Sequence, residues 1–341
     1  MGELKSLGRY QIRGVLGKGA MGLVYDGHDA TLKRRVAIKT IQTRDLDEAT
    51  AKHYEKRFRR EVRAVARLNH PHIVQVYDFG TEGDHAYIVM EYIEGKELKD
   101  YLDAKEPFDL AAIFRLMGEL LDALEFAHQA GVIHRDIKPA NVMLDSAKRA
   151  KLTDFGVARI TEGEPDADMT RAGALIGTPS YMSPEQIQGE AIDRRADIFS
   201  AGVLFYQLLT GRKPFEGAGF PLAKKIVQDD PDPPSSLVQV PEAIDRVVAR
   251  ALAKQPDERY QSARAFAEAL KRVREGKAPE EPGEAPAKSA TSSSLEAEKE
   301  FWNEVKDSDD PEDVELYIAQ FPKGAFVELA RQRMAKLGTK K

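Results

Sequence analysis

The chain opens with short stretches in which apolar and polar positions alternate, and this pattern predicts strands at residues 10–15, 23–26, 73–79 and 85–91. Between the second and third of these, residues 49–68 form a basic, strongly periodic stretch that predicts one helix. Helical spacing returns at 98–102 and 111–130, where Gly131 makes a natural stop. Residues 276–294 read GKAPEEPGEAPAKSATSSS, a composition that cannot bury a core and predicts a flexible linker. Beyond it, 295–341 regains order in three helical stripes. Phe301, Trp302 and Val305 form the first; Val314, Tyr317, Ile318 and Phe321 form the second, introduced by a cap at Ser308-Asp309-Asp310-Pro311. After a turn at Phe321-Pro322-Lys323-Gly324, the third stripe holds Phe326, Leu329, Ala330, Met334 and Leu337.

Composition narrows the class without choosing a function. At 341 residues, 42% apolar and 31% charged, the chain is globular and long enough for two domains, or one large domain with an appendage. A net charge of −5 gives no reason to expect nucleic acid or an anionic membrane as the principal partner. There is no cysteine, which excludes disulfides, thiolate nucleophiles and cysteine metal sites and fits a reducing, cytoplasmic setting. No apolar run approaches the roughly 20 residues that span a bilayer, and MGELKSLGRY lacks a hydrophobic signal region. Met1-Gly2 with Ser6 fits the short myristoylation pattern, which reads more simply as a start followed by a small residue.

The chemistry concentrates in residues 132–156, VIHRDIKPANVMLDSAKRAKLTDFG. Asp136 offers a carboxylate that accepts a hydrogen bond from an incoming hydroxyl. Asn141 offers an amide oxygen, and Asp154 a carboxylate, to a hard divalent cation. Lys138, close beyond Asp136, supplies a point charge for a terminal phosphate. Such a set suits phosphoryl transfer, which asks a protein for positioning and charge neutralisation rather than covalent chemistry. Taken singly, each of these residues reads as a turn cap. Upstream, Gly17-Lys18-Gly19-Ala20-Met21-Gly22 lies between two predicted strands, where a backbone without Cβ atoms can lie close over phosphates. A strand and then Val36-Ala37-Ile38-Lys39 follow it, rather than a helix, which argues against dinucleotide binding.

From Leu7 to Arg274 these motifs, in this order, resemble a bacterial eukaryotic-like (Hanks-type) serine/threonine protein kinase; His134-Arg135-Asp136, Lys138-Pro139 and Asn141 resemble its serine/threonine branch. The resemblance implies an α+β, two-lobed protein kinase fold over 1–275. A small antiparallel β-sheet lobe with one helix would occupy about 8–92 and a larger, mainly helical lobe about 97–275, followed by the linker at 276–294 and a short all-α module at 295–341. The resemblance further implies ATP and Mg²⁺, with Mn²⁺ as a substitute, and protein substrates presenting serine or threonine. By the same resemblance Asp136, Lys138, Lys39 and Glu61 are catalytic, with Glu61 holding Lys39 against the α- and β-phosphates; Glu55 lies too early on the same helix. The nucleotide would meet Leu16, Gly17, Lys18, Gly19, Ala20, Met21, Gly22, Leu23 and Val24 in the flap. Ala37 and Met143 would enclose the adenine, Met90 would gate the back of its pocket, and Glu91 and Ile93 would form the hinge. Asn141 and Asp154 would hold the metal. Val24, Ala37 and Met143 read equally well as core, and both readings hold together because an adenine site is an apolar slot.

Structural and regulatory roles follow from the resemblance too. Glu185, in Ser183-Pro184-Glu185 where the family usually has Ala-Pro-Glu, would pair with Arg259 inside the lower lobe, and Asp197 would accept backbone hydrogen bonds from the catalytic loop. Residues 157–182 would form a switch segment carrying Thr161, Thr170, Thr178 and Ser180. Thr170 is the activating phosphorylation candidate, with Arg135 as the receiving cation. Thr178 is the second candidate and matches the residue that contacts Asp136 and Lys138. Ala172 stands where bacterial relatives often have another threonine, which speaks against a dual-site switch. Self-activation in trans through a homodimer is expected, because a loop does not easily enter its own active site. Family members often carry a membrane span after the catalytic domain, so this chain reads as a soluble member or one cut before a span.

The 295–341 pattern is similar to short, distantly tetratricopeptide-like modules; with little core of its own, it would dock on the kinase, on a second copy or on a partner. Three alternatives predict different residues. A nucleotide-binding pseudokinase scaffold would lose Lys39, Asp136, Asn141 or Asp154. A small-molecule kinase would lack the long segment ending in Pro-Glu, and a tyrosine-directed kinase would replace Asp136-Ile137-Lys138-Pro139-Ala140-Asn141 with an arginine-containing variant.

Overall fold

The computed structural model describes residues 4–19, 22–42, 48–83, 85–155 and 179–279, of 48–55 the backbone, and most of 298–306, 314–321 and 324–338. The chain forms two units, Met1–Glu280 and Glu281–Lys341, so the division falls in the Pro- and Glu-rich stretch.

Alternation in the first unit yields strands β1 (Ser6–Leu7), β2 (Tyr10–Gly19), β3 (Gly22–Asp29), β4 (Arg34–Gln42), β5 (Val76–Glu82) and β6 (His85–Glu91). They make one antiparallel sheet in the order β1-β2-β3-β4-β6-β5. The register sets Val24 opposite Lys39 and Ala37 opposite Met90. Helix α1 (Glu48–Ala66) lies on this sheet. Its Phe58 and Val62, one turn apart, bury against Ile41, Ala86 and Ile88, while Lys56, Arg59, Arg60 and Arg63 stay exposed.

A smaller antiparallel sheet, β7 (Gly95–Glu97), β8 (Val142–Asp145) and β9 (Ala150–Leu152), accompanies helices α2 (Leu98–Asp103), α3 (Leu110–Gln129), α4 (Pro184–Gln188), α5 (Arg195–Thr210), α6 (Gly219–Gln228), α7 (Ala243–Ala251) and α8 (Ala263–Arg274). Helix α3 starts where the Asp109 carboxylate accepts the Ala112 N–H at 2.7 Å, and α8 starts where the Ser262 hydroxyl accepts the Ala265 N–H at 3.1 Å. Helix α5 is different: every residue from Ala196 to Tyr206 is buried, so it has no polar face and forms the axis of the lobe. Each fully buried aromatic there, such as Phe199 and Phe205, contributes on the order of 1.5–3 kcal/mol of apolar burial.

The strand expected at 73–79 begins only at Val76. Ile73 and Val74 are buried because this stretch leaves the first sheet and bonds to β9. The Val74 N–H donates to the Leu152 carbonyl at 2.9 Å, and the Leu152 N–H donates to the His72 carbonyl at 2.8 Å. The alternation is real, but the partner is the other lobe. Among the described residues no helix is long and apolar enough to cross a membrane.

The second unit has a small core of its own. Trp302, Val305, Val314, Tyr317, Val327 and Ala330 are buried together, the last two on α9 (Val327–Gly338). Trp302 stacks on Phe326 with ring centroids 5.8 Å apart. Glu298 is buried at the centre and accepts the Tyr317 hydroxyl at 2.6 Å and the Phe326 N–H at 3.4 Å. Gly324 allows this packing, since a Cβ there would stand 2.2 Å from the Glu298 carboxylate.

Candidate active site

The loop after α3 is locked from below by one buried carboxylate. Asp197, near the start of α5, accepts the His134 N–H at 2.9 Å and the Arg135 N–H at 2.7 Å. It also bonds His128 Nε2 at 2.7 Å. Burial alone would push its carboxyl up, but the bond to His128, the attraction of that ring and the backbone donors outweigh this and hold it below the ordinary carboxylate value. Within the loop, the His134 Nδ1 accepts the Asp136 N–H at 3.2 Å, so its Nε2 carries the proton and donates to the Thr153 carbonyl at 2.7 Å. The Thr153 N–H returns a bond to the Asn141 carbonyl at 2.9 Å. The strand end that delivers Asp154 is therefore stitched to the loop that carries Asp136.

Three side chains converge above this base. The Lys138 ammonium donates to Asp136 Oδ2 at 2.7 Å, and Asn141 Nδ2 donates to the same oxygen at 2.9 Å and to the Asp136 carbonyl at 2.7 Å. With its nitrogen spent on Asp136, the Asn141 amide has its oxygen to offer a cation. Arg135 and Asp154 both adopt left-handed backbone, with φ of 68° and 64°, a strain that gathers where function needs it. The Lys39 ammonium, on β4, reaches Asp154 Oδ2 at 2.8 Å. Burial raises the Asp154 carboxyl, and Lys39 more than reverses this, keeping it ionised below the usual range.

The ion pair expected between Lys39 and Glu61 is not made. Lys39 goes to Asp154, and Glu61 accepts Arg60 Nη2 at 3.0 Å. The reason is the setting of α1, which turns Glu61, Ala64 and Val65 toward Val132, Ile133 and Arg135, where they line a small cavity. The oxygen donors Asp154 and Asn141 suit a hard divalent cation shared with phosphates. Among the described residues no three His, Cys, Asp or Glu side chains group into a metal cage.

The residues expected to meet a nucleotide are spread over both sheets. In the flap, a Cβ on Gly22 would stand 1.9 Å from the Thr40 carbonyl, so only glycine lets β3 pack this closely beside Lys39. Leu16, Gly17, Lys18 and Gly19 lie on β2, Leu23 and Val24 on β3, Ala37 on β4 and Met143 on β8. Met90, paired with Val76 on β5, borders an apolar cavity with Val62, Val65, Ile88 and Phe155. Glu91 ends β6 and Ile93 follows it outside any strand. The Glu91 N–H donates to the Gln75 carbonyl at 2.9 Å. Ala20, Met21, Thr161, Thr170, Thr178 and Gly156 lie outside the described residues.

Two supporting residues escaped the sequence reading. His128 sits seven residues after Leu121 on the buried stripe of α3, so a polar residue on an apolar face was its only signal. Gln186, on α4, accepts the Ser183 N–H at 3.0 Å and donates to the Arg135 carbonyl at 2.8 Å, tying α4 to the loop that carries Asp136; its local signal is the Ser183-x-x-Gln186 capping box. The structure also brings Glu185 to Arg259, with bonds of 2.7 and 2.8 Å between their paired oxygens and nitrogens.

The model of the protein kinase domain matches residues 10–271. A probable serine/threonine-protein kinase of Streptomyces coelicolor is 44% identical over 262 residues, 75% of this chain and 38% of that protein. The serine/threonine-protein kinase PknB of Mycolicibacterium smegmatis is 41% identical over 280 residues, 80% of this chain and 44% of that protein. The serine/threonine-protein kinase pkn3 of Myxococcus xanthus is 39% identical over 300 residues, 84% of this chain and 53% of that protein. The chain thus spans about half, or less, of the length of these relatives.

Proposed function

This chain belongs to the protein kinase family, and on that premise we propose that it transfers the γ-phosphate of ATP to serine and threonine hydroxyls of proteins. One observation carries the reading: Lys39 bonds Asp154, the adjoining Thr153 backbone bonds Asn141, and Asn141 and Lys138 both bond Asp136, which gathers the five residues at one place. Asp136 orients the attacking hydroxyl and accepts its hydrogen bond. Lys138, bonded to the same carboxylate, neutralises the terminal phosphate, and Lys39 steadies the inner phosphates. Asp154 and Asn141 are the residues to hold Mg²⁺, with Mn²⁺ as a substitute, and the cation when bound offsets charge on the phosphate oxygens. Glu61 is the partner of Lys39 in the transferring state, because Asp154 is then committed to the cation. Retention of all of these residues speaks against a pseudokinase scaffold.

Regulation is proposed on the same basis. Thr170, and secondarily Thr178, receives phosphate from a second copy of the chain, with Arg135 as the receiving cation. The cysteine-free composition supports action in the cytoplasm, and the 295–341 module docks on the kinase, on its copy or on a partner. Purified protein given γ-labelled ATP, Mg²⁺ and a generic basic protein should incorporate label, and Asp136→Asn should not. Equal label in both would overturn the assignment. Mass-spectrometric mapping after ATP exposure should find phosphate on Thr170; active protein without it would remove that site.

A further inference from the structure

We infer that Lys151, on the strand below the nucleotide slot, is a positioning residue for the adenine: it clamps Glu91 and so fixes the hinge backbone. The inference rests on the proposed use of ATP. Lys151 stands opposite Met143 in the β8–β9 register, so the two side chains share one face of that sheet. From this face its ammonium crosses to the other lobe and donates to both carboxylate oxygens of Glu91, at 2.8 and 2.9 Å. The same carboxylate accepts the Gln75 N–H at 3.3 Å, while the Glu91 N–H donates to the Gln75 carbonyl. The Gln75 amide then donates to the carbonyls of Ala66, where α1 ends, and Val76, at 3.3 and 3.2 Å.

Glu91 is thus held by its backbone, opposite Val36 on β4 and through Gln75, and by its side chain through Lys151. Tyr92, Ile93 and Glu94 follow it outside any strand, so their course depends on how Glu91 is anchored. Lys151 is 18% and Glu91 26% exposed, which shields the pair from much of the salt screening that weakens surface pairs. The Val74–Leu152 and Leu152–His72 backbone bonds keep β9 joined to the 72–74 stretch without the lysine. The clamp lies at the adenine end of the slot, apart from Lys39, Asp136 and Asp154. Its removal should loosen recognition of the base and leave the phosphate chemistry in place.

The test uses the full chain and calorimetric titration with Mg-ATP and Mg-GTP, alongside steady-state kinetics. Lys151→Met should weaken ATP binding about tenfold, the order seen when a supporting residue behind a direct contact is removed. The loss should fall in KM rather than kcat, and the preference for ATP over GTP should narrow. Lys151→Arg should restore affinity, Glu91→Gln should repeat the loss, and the double variant should lose no more than either single one. If Lys151→Met does not fold, Lys151→Gln and Glu91→Gln carry the same reading. Unchanged ATP affinity, or ATP and GTP weakened alike, would overturn the clamp. Binding is read directly, so a wild-type protein that binds ATP but labels no substrate counts against the proposed transfer alone.

Discussion

Two ion pairs in the kinase unit invite comparison. Arg259 is fully buried, and each of its five N–H donors is used. Nη1 and Nη2 grip the two oxygens of Glu185 at 2.7 and 2.8 Å. The remaining bonds go to the carbonyls of Ala253 at 2.8 Å, Arg195 at 3.0 Å and Lys254 at 3.0 Å. Lys39 makes one bond, to Asp154 at 2.8 Å, and the two side chains are 11% and 26% exposed. The first pair is saturated and has nothing left for a ligand. A rigid fork in such a site is a brace. The second joins a rotatable ammonium to a partly exposed carboxylate at the cleft, so either partner has room to change company. The same elementary interaction serves stability where it is closed and chemistry where it is open.

The sharpest way to break this division is Arg259→Ala. It leaves Glu185 buried without its cation and should cost about 3–5 kcal/mol, read as a large fall in melting temperature. Asp136→Asn should do the reverse, lowering phosphate transfer by about 10²–10⁴-fold while melting stays near wild type. Between these lies Asp197, buried like Arg259 yet supporting the loop that carries Asp136. Its folded carboxyl is held below the ordinary value of 3.8, so its stabilisation is present above that pH and is lost as pH falls through the folded value. Acid titration of unfolding should therefore show a limb below pH 3.8 that Asp197→Asn flattens; an unchanged limb would deny Asp197 its bracing role. The smallest effect concerns the second unit. Tyr317→Phe removes the donor to buried Glu298 and should cost that unit about 1–3 kcal/mol. Trp302 is the chain's single tryptophan and lies in that core, so its fluorescence reports the loss.

How much of this was legible in the chain follows the range of the interactions. Asp136, Lys138 and Asn141 bond within one loop, so their grouping was legible in their spacing. The helices with a clear apolar stripe were also readable: the predicted 49–68 and 111–130 became Glu48–Ala66 and Leu110–Gln129. Helix α5 has no stripe because it is buried all round, and the 73–75 stretch imitates a strand while bonding to β9. The choice of Lys39 between Glu61 and Asp154 depends on the setting of α1, which no local pattern encodes. Lys151 and Glu91 meet across 60 positions of sequence; Lys151 alone reads as an ordinary surface charge, and Glu91 reads only as a hinge residue. Glu298 in the second unit looks like a solvated acid until Tyr317 and Gly324 close around it.

The most direct test of the division between brace and chemistry is Lys39→Met, with phosphate transfer and melting temperature measured on one preparation. Transfer should fall more than about 100-fold, since a cation aimed at the phosphates is lost. Melting should fall far less than for Arg259→Ala, because the partly exposed Asp154 left behind can take water or a proton while the sealed Glu185 cannot. Retained transfer, or a melting loss as large as that of Arg259→Ala, would contradict it.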